Sequence, residues 1–207
     1  MADHYFTASP QSEHKPASFE TSYRGHTLLF ETDSGVFSRL ELDRGTEVLL
    51  NALPAAIKGQ VLDMGCGYGA LGVSLAKANP GCRVTMADIN ERAVSLAAQN
   101  AKRNGVVAET LLSDGFERLA GCKYDLIATN PPIRAGKPVI YRLFADGAKA
   151  IHENGAMVIV IRKQQGAPSA KTYLETLFRR VNIMDRSGGF WVLWCEAPMI
   201  ASMDEEI

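Results

Sequence analysis

From residue 60 onward the hydrophobic positions alternate between two patterns. Apolar-rich runs at residues 60–64, 83–87, 108–112, 124–129 and 156–161 have the length and character of strands covered on both faces. Between them, residues 70–78, 90–104, 137–152 and 168–178 carry apolar side chains at helical spacing. Local chemistry sets several boundaries. Asn90 is placed to cap a helix, Asn104-Gly105 supplies a left-handed stop, and Asn79-Pro80-Gly81 is a turn. Ahead of this region a helix is predicted over residues 43–53, with Val48, Leu49, Ala52 and Leu53 as its stripe and Pro54 as its stop. Residues 26–31 read as a strand, and Thr32-Asp33-Ser34-Gly35 turns into Val36-Phe37, which predicts a small hairpin after a polar leader containing Pro10 and Pro16. At the far end, residues 181–184 and 190–195 flank Ser187-Gly188-Gly189 and predict an antiparallel hairpin. Regular β–α alternation implies an α/β fold, a mostly parallel sheet with helices on both faces and right-handed crossovers.

The length of 207 residues suits one domain, expected here as a core over residues 56–200 carrying an N-terminal extension, 1–55, of hairpin plus helix. With 46% hydrophobic and 22% charged residues the chain belongs with soluble globular proteins. No apolar run approaches the roughly 18 residues needed to span a bilayer. The start Met1-Ala2-Asp3-His4-Tyr5 lacks a signal peptide's apolar centre, so a cytoplasmic protein is expected, and Asp204-Glu205-Glu206 reads as a frayed acidic end. Cys66, Cys82, Cys122 and Cys195 are scattered, without a Cys-x-x-Cys pair or a zinc-spaced His, so they are expected to be reduced and mostly buried, with no metal site. A net charge of -1 argues against indiscriminate binding to nucleic acid, yet residues 130–190 hold ten Lys or Arg against four Asp or Glu, a local +6 that leaves -7 elsewhere.

That basic stretch begins at Asn130-Pro131-Pro132, directly after the run Tyr124-Asp125-Leu126-Ile127-Ala128-Thr129. Two prolines remove two consecutive N–H donors and fix φ, so the strand ends in a rigid corner. An Asn side chain and the expected unpaired carbonyls of Asn130 and Pro131 would hold an amino group by its protons. The same residues are also ordinary turn punctuation.

A second constellation bears on that choice. Asp63-Met64-Gly65-Cys66-Gly67-Tyr68-Gly69 places a strand, three glycines at alternate positions and a helix start in succession, which permits close backbone approach by a nucleotide-like ligand. Asp63, two residues before Gly65, opposes a pyrophosphate and suits a cationic, amine-bearing ligand such as S-adenosylmethionine. Asp88, followed by Ile89 at the next strand end, is placed to accept from ribose hydroxyls. Asp114-Gly115-Phe116 after the third strand offers a carboxylate for an adenine amino group and a ring to lie against it, although Asp-Gly is also a common turn. Open α/β sheets bind ligands at the carboxyl ends of their strands, so these residues are expected to converge.

The set formed by Asp63 to Gly69, Asp88 and Asn130-Pro131-Pro132-Ile133 resembles class I S-adenosylmethionine-dependent methyltransferases, and within them the small-domain group related to ribosomal small-subunit RNA guanine-N2 methyltransferases. Gly35-Val36-Phe37-Ser38, Leu42-Asp43-Arg44-Gly45-Thr46, Pro132 to Lys137 and Gly166-Ala167-Pro168-Ser169 carry the likeness across most of the chain. The resemblance implies a Rossmann-like seven-stranded, mostly parallel sheet with an antiparallel last strand, S-adenosyl-L-methionine as cofactor and S-adenosyl-L-homocysteine as product. It implies that the N-terminal segment closes the methionine end of the cofactor, with Phe37, Ser38 and Thr46 as candidates. One departure stands out: where many amino methyltransferases place Tyr or Phe after the second proline, this chain has Ile133.

The catalytic set expected is therefore Asn130, Pro131, Pro132 and Ile133; the cofactor set is Asp63, Gly65, Cys66, Gly67, Gly69, Asp88, Ile89, Asp114, Gly115, Phe116, Asn130, Phe37 and Thr46. Arg134, Lys137, Arg162 and Lys163 are candidate phosphate contacts for an RNA, ribosomal RNA or a ribosomal subunit, whose target base must be splayed out. Other acceptors compatible with the corner are an adenine amino group in nucleic acid or a glutamine amide in protein. A dinucleotide oxidoreductase is opposed by Asp63 and the glycine spacing, and a non-catalytic RNA-binding assembly factor by the intact corner.

Overall fold

The computed structural model describes residues 13–199. The readings of the amino-terminal Met1 to Tyr5, of Pro10 and of Asp204-Glu205-Glu206 lie outside the described residues.

The chain opens with a hairpin, β1 (Ala17–Tyr23) and β2 (His26–Thr32), followed by α1 (Arg44–Ala52). Then β3 (Gly59–Met64), α2 (Ala70–Ala78), β4 (Cys82–Asp88), α3 (Glu91–Arg103), β5 (Ala108–Leu112) and β6 (Tyr124–Thr129) alternate. The remainder is α4 (Lys137–Ala150), β7 (Ile151–Arg162), α5 (Ala167–Leu174), β8 (Phe178–Ser187) and β9 (Phe190–Pro198). Seven strands form one sheet in the order β5-β4-β3-β6-β7-β9-β8. The pairs β3·β4, β3·β6, β4·β5 and β6·β7 are parallel, whereas β9, the last strand, runs antiparallel to both β7 and β8. This is the class I methyltransferase fold.

Alternation along the apolar runs divides the interior in two. Val61, Val158 and Val160 join a core with α1, α2, α3 and the hairpin. Leu62, Met157, Ile159 and Ile161 point the other way, into a core with Ile140 and Phe144 of α4 and Leu174 of α5. A run that is apolar at every position is what a strand with helices on both faces requires.

The amino-terminal hairpin departs from the sequence expectation. Residues 17–23, read as polar leader, form β1, and the turn lies at Arg24-Gly25 rather than at residues 32–35; Val36-Phe37 is not a strand. Arg24 and Gly25 both have positive φ, 48° and 79°, the pair that a two-residue hairpin turn demands, but Arg-Gly lacks the usual Asn-Gly signature. Phe19 contributes an aromatic ring to a cluster with Phe30 and the glycine-loop Tyr68, centroids 5.6 to 5.9 Å apart. The free edge of β2 is paired by side chains instead of a strand. Asn100 accepts from Glu31 N–H and donates to Glu31 C=O, each at 2.8 Å, and Asn104 does the same with Leu29 at 2.9 and 2.8 Å. Two amides one helical turn apart thus match alternate residues of a strand, and the exposed edge is covered.

Three boundaries also move. Helix α4 ends at Ala150 and α5 at Leu174, both short of prediction, and β7 begins at Ile151. Its first residues bulge out of register between Tyr124 and Leu126, where a Cβ on Gly155 would meet the Asp125 and Tyr124 carbonyl oxygens at 2.9 Å. The cysteines are unpaired; Cys66 and Cys195 are buried, but Cys82 is half-buried and Cys122 exposed, which corrects the expectation of general burial.

Candidate active site

The carboxyl ends of β3, β4 and β6, together with the segment after β5, open onto a cavity of about 630 Å³. The predicted residues Asp63, Gly65, Cys66, Gly67, Asp88, Ile89, Asp114, Gly115, Asn130, Pro131, Pro132, Phe37 and Thr46 line it. Gly65 and Gly67 adopt φ of 73° and 55°, and a Cβ on either would meet nothing within 4 Å, so the loop presents bare backbone to open space. Gly69, by contrast, is outside the lining; a Cβ there would sit 3.1 Å from Ala97 Cβ and 3.2 Å from Met86 Sδ, so its role is packing α2 against the next strand–helix unit.

Asp63 is buried and accepts from Gly72 N–H at 2.8 Å. Burial pushes its carboxyl up to about 7, opposed by that N–H and reinforced by the charge of Asp88. Asp88 is likewise raised by burial, against the pull of backbone donors: its two oxygens accept from Asn90 and Gly67 N–H at 2.9 and 2.8 Å. Burial lifts the Cys66 thiol well above its ordinary range, which keeps it neutral. Asp114 is paired with Arg142 of α4 at 2.7 Å across the mouth.

At the corner, Asn130 Nδ2 donates to Asp43 Oδ2 at 2.8 Å and to Thr46 Oγ1 at 3.1 Å. A carboxylate oxygen accepts, so the nitrogen side of the amide must face Asp43 and Oδ1 is turned the other way as an acceptor. Asp43 is itself held, because the same oxygen caps α1 by accepting from Thr46 N–H at 3.1 Å. Gly45 makes the contact possible. A Cβ there would lie 2.9 Å from Asp43 Oδ2, 3.0 Å from Phe190 Cε1 and 3.2 Å from Asn130 Nδ2. The expectation that the Pro131 carbonyl is unpaired is corrected: it accepts from Ile133 N–H at 2.9 Å, a tight turn about Pro132, whose φ of -74° and ψ of 78° fit an inverse γ-turn. One of its two lone pairs remains.

Several expected residues lie outside the lining. Phe116 packs toward α4, its Cζ 3.5 Å from where a Gly147 Cβ would stand, and Ile133 leans on the second core. Ser38 Oγ donates to the Glu41 carbonyl. Arg134, Lys137, Arg162 and Lys163 are exposed. Sequence reasoning missed Asp43 as a partner of Asn130, although its place three residues before Thr46 is a cap signal. It also missed the α4 wall, where Pro138, Val139, Arg142, Leu143 and Asp146 line the cavity at successive turns.

The methyltransferase small-domain family matches residues 27–194. The chain belongs to that family. An uncharacterised Bacillus subtilis protein, YbxB, is 37% identical over 93% of this chain and 98% of its own length. Ribosomal RNA small subunit methyltransferase C of Aeromonas hydrophila is 36% identical over 76% of this chain and 46% of its own. Among solved structures, the T. Thermophilus 16S rRNA N2 methyltransferase RsmC, a complex with AdoMet and guanosine, superimposes with a TM-score of 0.80 at 27% identity, covering 90% of this chain and 52% of that one. The chain thus spans about half the length of these ribosomal RNA methyltransferases. The methyl donor of the family is S-adenosylmethionine, and three carboxylates around a bare glycine loop suit its cationic amine, ribose and adenine amino groups.

Proposed function

We propose that this chain transfers a methyl group to an exocyclic amino group of a base in RNA, with guanine N2 of small-subunit ribosomal RNA as the acceptor. The observation that carries the reading is the fixed amide of Asn130, whose nitrogen is held by Asp43 and Thr46 while its oxygen is left to accept. The likeness to ribosomal RNA small subunit methyltransferase C supports the choice of RNA.

In this reading Asn130 Oδ1 and the remaining lone pair of the Pro131 carbonyl take the two amino hydrogens, which turns the nitrogen lone pair toward the bound donor. S-adenosylmethionine supplies the methyl group and leaves as S-adenosylhomocysteine. The N–C bond forms as the C–S bond breaks, and the amino nitrogen releases one proton to water. Positioning of this kind is worth roughly 7 to 11 kcal/mol, and the acceptors stabilise the charge that develops on nitrogen. Pro132 forms the aliphatic wall beside the base, while Ile133 behind it leans on the second core. Asp63, Asp88 and Asp114 hold the donor, and Arg134, Lys137, Arg162 and Lys163 face the phosphates around the splayed nucleotide. The chain acts as one methyltransferase domain in the cytoplasm, with the hairpin and α1 as an extension packed on the core.

Comparing methylated nucleosides in ribosomal RNA, and methylated peptides, by mass spectrometry between cells with and without the protein tests the reading. Loss of N2-methylguanosine at one site is expected. Loss of N6-methyladenosine, or of a methylated glutamine in protein with RNA unchanged, would replace guanine by one of those acceptors.

A further inference from the structure

The carboxyl edge of the seven-stranded sheet divides by charge at Asn130. On the side of β3, β4 and β5 it carries Asp63, Asp88 and Asp114, all facing the cavity. On the side of β7, β9 and β8 the same edge is basic. Arg162 ends β7, Lys163 follows it, and Arg186 stands next to the end of β8, all exposed. Arg44, at the start of α1, lies beside the Gly188-Gly189 turn that joins β8 to β9; its Nε is 3.3 Å from a Cβ placed on Gly188.

This basic edge is held in shape. Arg162 Cζ stands 4.9 Å from the Phe190 ring centroid on the α1 face of the sheet, and Arg186 Cζ is 4.9 Å from that of Trp191 on the α4–α5 face, so a guanidinium group rests on a ring at each side of the β9 end. Lys163 N–H donates to Gly189 C=O at 2.8 Å and ties the end of β7 to the turn. Three carboxylates are interspersed, one of them Asp43, which precedes Arg44 and holds Asn130. Asp185 accepts from Arg186 N–H, and Glu47 is paired with Arg44 at 2.6 Å. Phe190 and Asn130 both close in on Gly45, where a Cβ would lie 3.0 and 3.2 Å from them, so this edge abuts the corner. From β6 to β8 the edge covers three inter-strand steps, about 14 Å. That exceeds the roughly 3.4 Å axial spacing of phosphates in a stacked strand several times over.

We infer that the β7–β9–β8 edge is a track for the backbone of one RNA strand leading into the Asn130 corner. Arg162 and Lys163 meet the phosphates nearest the target nucleotide, and Arg44 and Arg186 meet those that follow. This inference rests on the reading of the substrate as RNA. Guanidinium groups backed by rings offer flat cationic faces that suit both phosphate and unstacked bases.

The test measures binding of a fluorescently labelled 20-nucleotide polyuridylate, which contains no acceptor amino group, between 50 and 300 mM KCl. The protein is compared with the double variant R44Q/R186Q and with Glu47→Gln, each verified by thermal melting and cofactor affinity. Removing two phosphate contacts is expected to lower the slope of log Kd against log salt by about 1.4, at roughly 0.7 per contact, and to weaken binding about tenfold at low salt. Glu47→Gln, which releases Arg44 from its ion pair, is expected to tighten it. Equal slopes in all three proteins, no binding by the unaltered protein, or tighter binding of polyglutamate than of polyuridylate would overturn the track. If the slopes change as expected but the unaltered protein methylates no RNA, the track stands and the proposed function fails.

Discussion

The link between α1 and the corner can be broken without unfolding the helix. Asp43 does two things with one oxygen: it caps α1 through Thr46 N–H and holds the amide nitrogen of Asn130. In Asp43→Ser a good cap residue remains, so α1 is expected to lose at most a few tenths of a kcal/mol, whereas Asp43→Ala loses the cap as well, about 1 kcal/mol. Both variants take a charge-assisted bond, worth roughly 1.5 to 3 kcal/mol, from Asn130. Only Thr46 Oγ1 then opposes a flip of the amide, and in the proposed reaction a flipped amide would meet the amine with a donor. If that energy is spent on orientation, the methyl-transfer rate falls about ten- to a hundredfold in both variants alike. Cofactor affinity stays within about threefold, an allowance of roughly 0.7 kcal/mol. Single-turnover transfer of labelled methyl groups to ribosomal RNA from cells lacking the protein gives the rate, and melting gives the stability. A Ser variant that reacts at the full rate, or a rate loss seen only where stability also drops, would refute the assignment of Asp43 as a positioning residue.

Gly45→Ala adds a methyl 2.9 to 3.2 Å from Asp43, Phe190 and Asn130. The helix gain of up to about 1 kcal/mol is expected to be offset by crowding of about 1 to 3 kcal/mol, with the transfer rate falling more than the melting temperature indicates. Asp88→Ala should weaken cofactor binding about ten- to a hundredfold by calorimetry. Because the folded carboxyl of Asp63 is raised to about 7, the protonated form is favoured in the fold. Its contribution to stability is therefore present below about pH 4 and lost as pH rises through 7, so the cofactor-free protein should lose melting temperature between pH 5 and 8 by more than Asp63→Asn does. Asn100→Leu leaves Glu31 N–H, Glu31 C=O and Tyr68 C=O without their amide partner, and a loss of about 2 to 4 kcal/mol in denaturant unfolding is expected, with the hairpin loosening first in hydrogen exchange.

Strand and helix order, the glycine loop, the strand-end carboxylates and the Asn-Pro-Pro corner were all legible along the chain. Each depends on local rules: apolar periodicity, left-handed glycines, and prolines that end pairing. The β1 strand was not legible, because its alternation is carried by Phe19 and Tyr23 among polar residues and its turn is Arg-Gly. Asn104, read as part of a helix stop, also pairs with β2 across 75 positions of sequence. No local pattern announces a bond of that span.

What the sequence determined by itself was the inventory of the site: three carboxylates, bare glycines and an amide at strand ends that a parallel sheet must bring to one edge. Only the tertiary structure decided how the amide is turned, since that depends on Asp43, 87 positions away, and on the missing side chain of Gly45. It also decided that the basic residues after Asn130 scatter, with Arg134, Lys137 and Arg142 on the α4 side of the mouth, Arg162, Lys163 and Arg186 at the far carboxyl edge, and Lys149, Lys171, Arg179 and Arg180 away from both. Sequence spacing specifies which residues end a strand, whereas the direction of a hydrogen bond and the sharing of a surface are set by distances that exist only once the chain has folded.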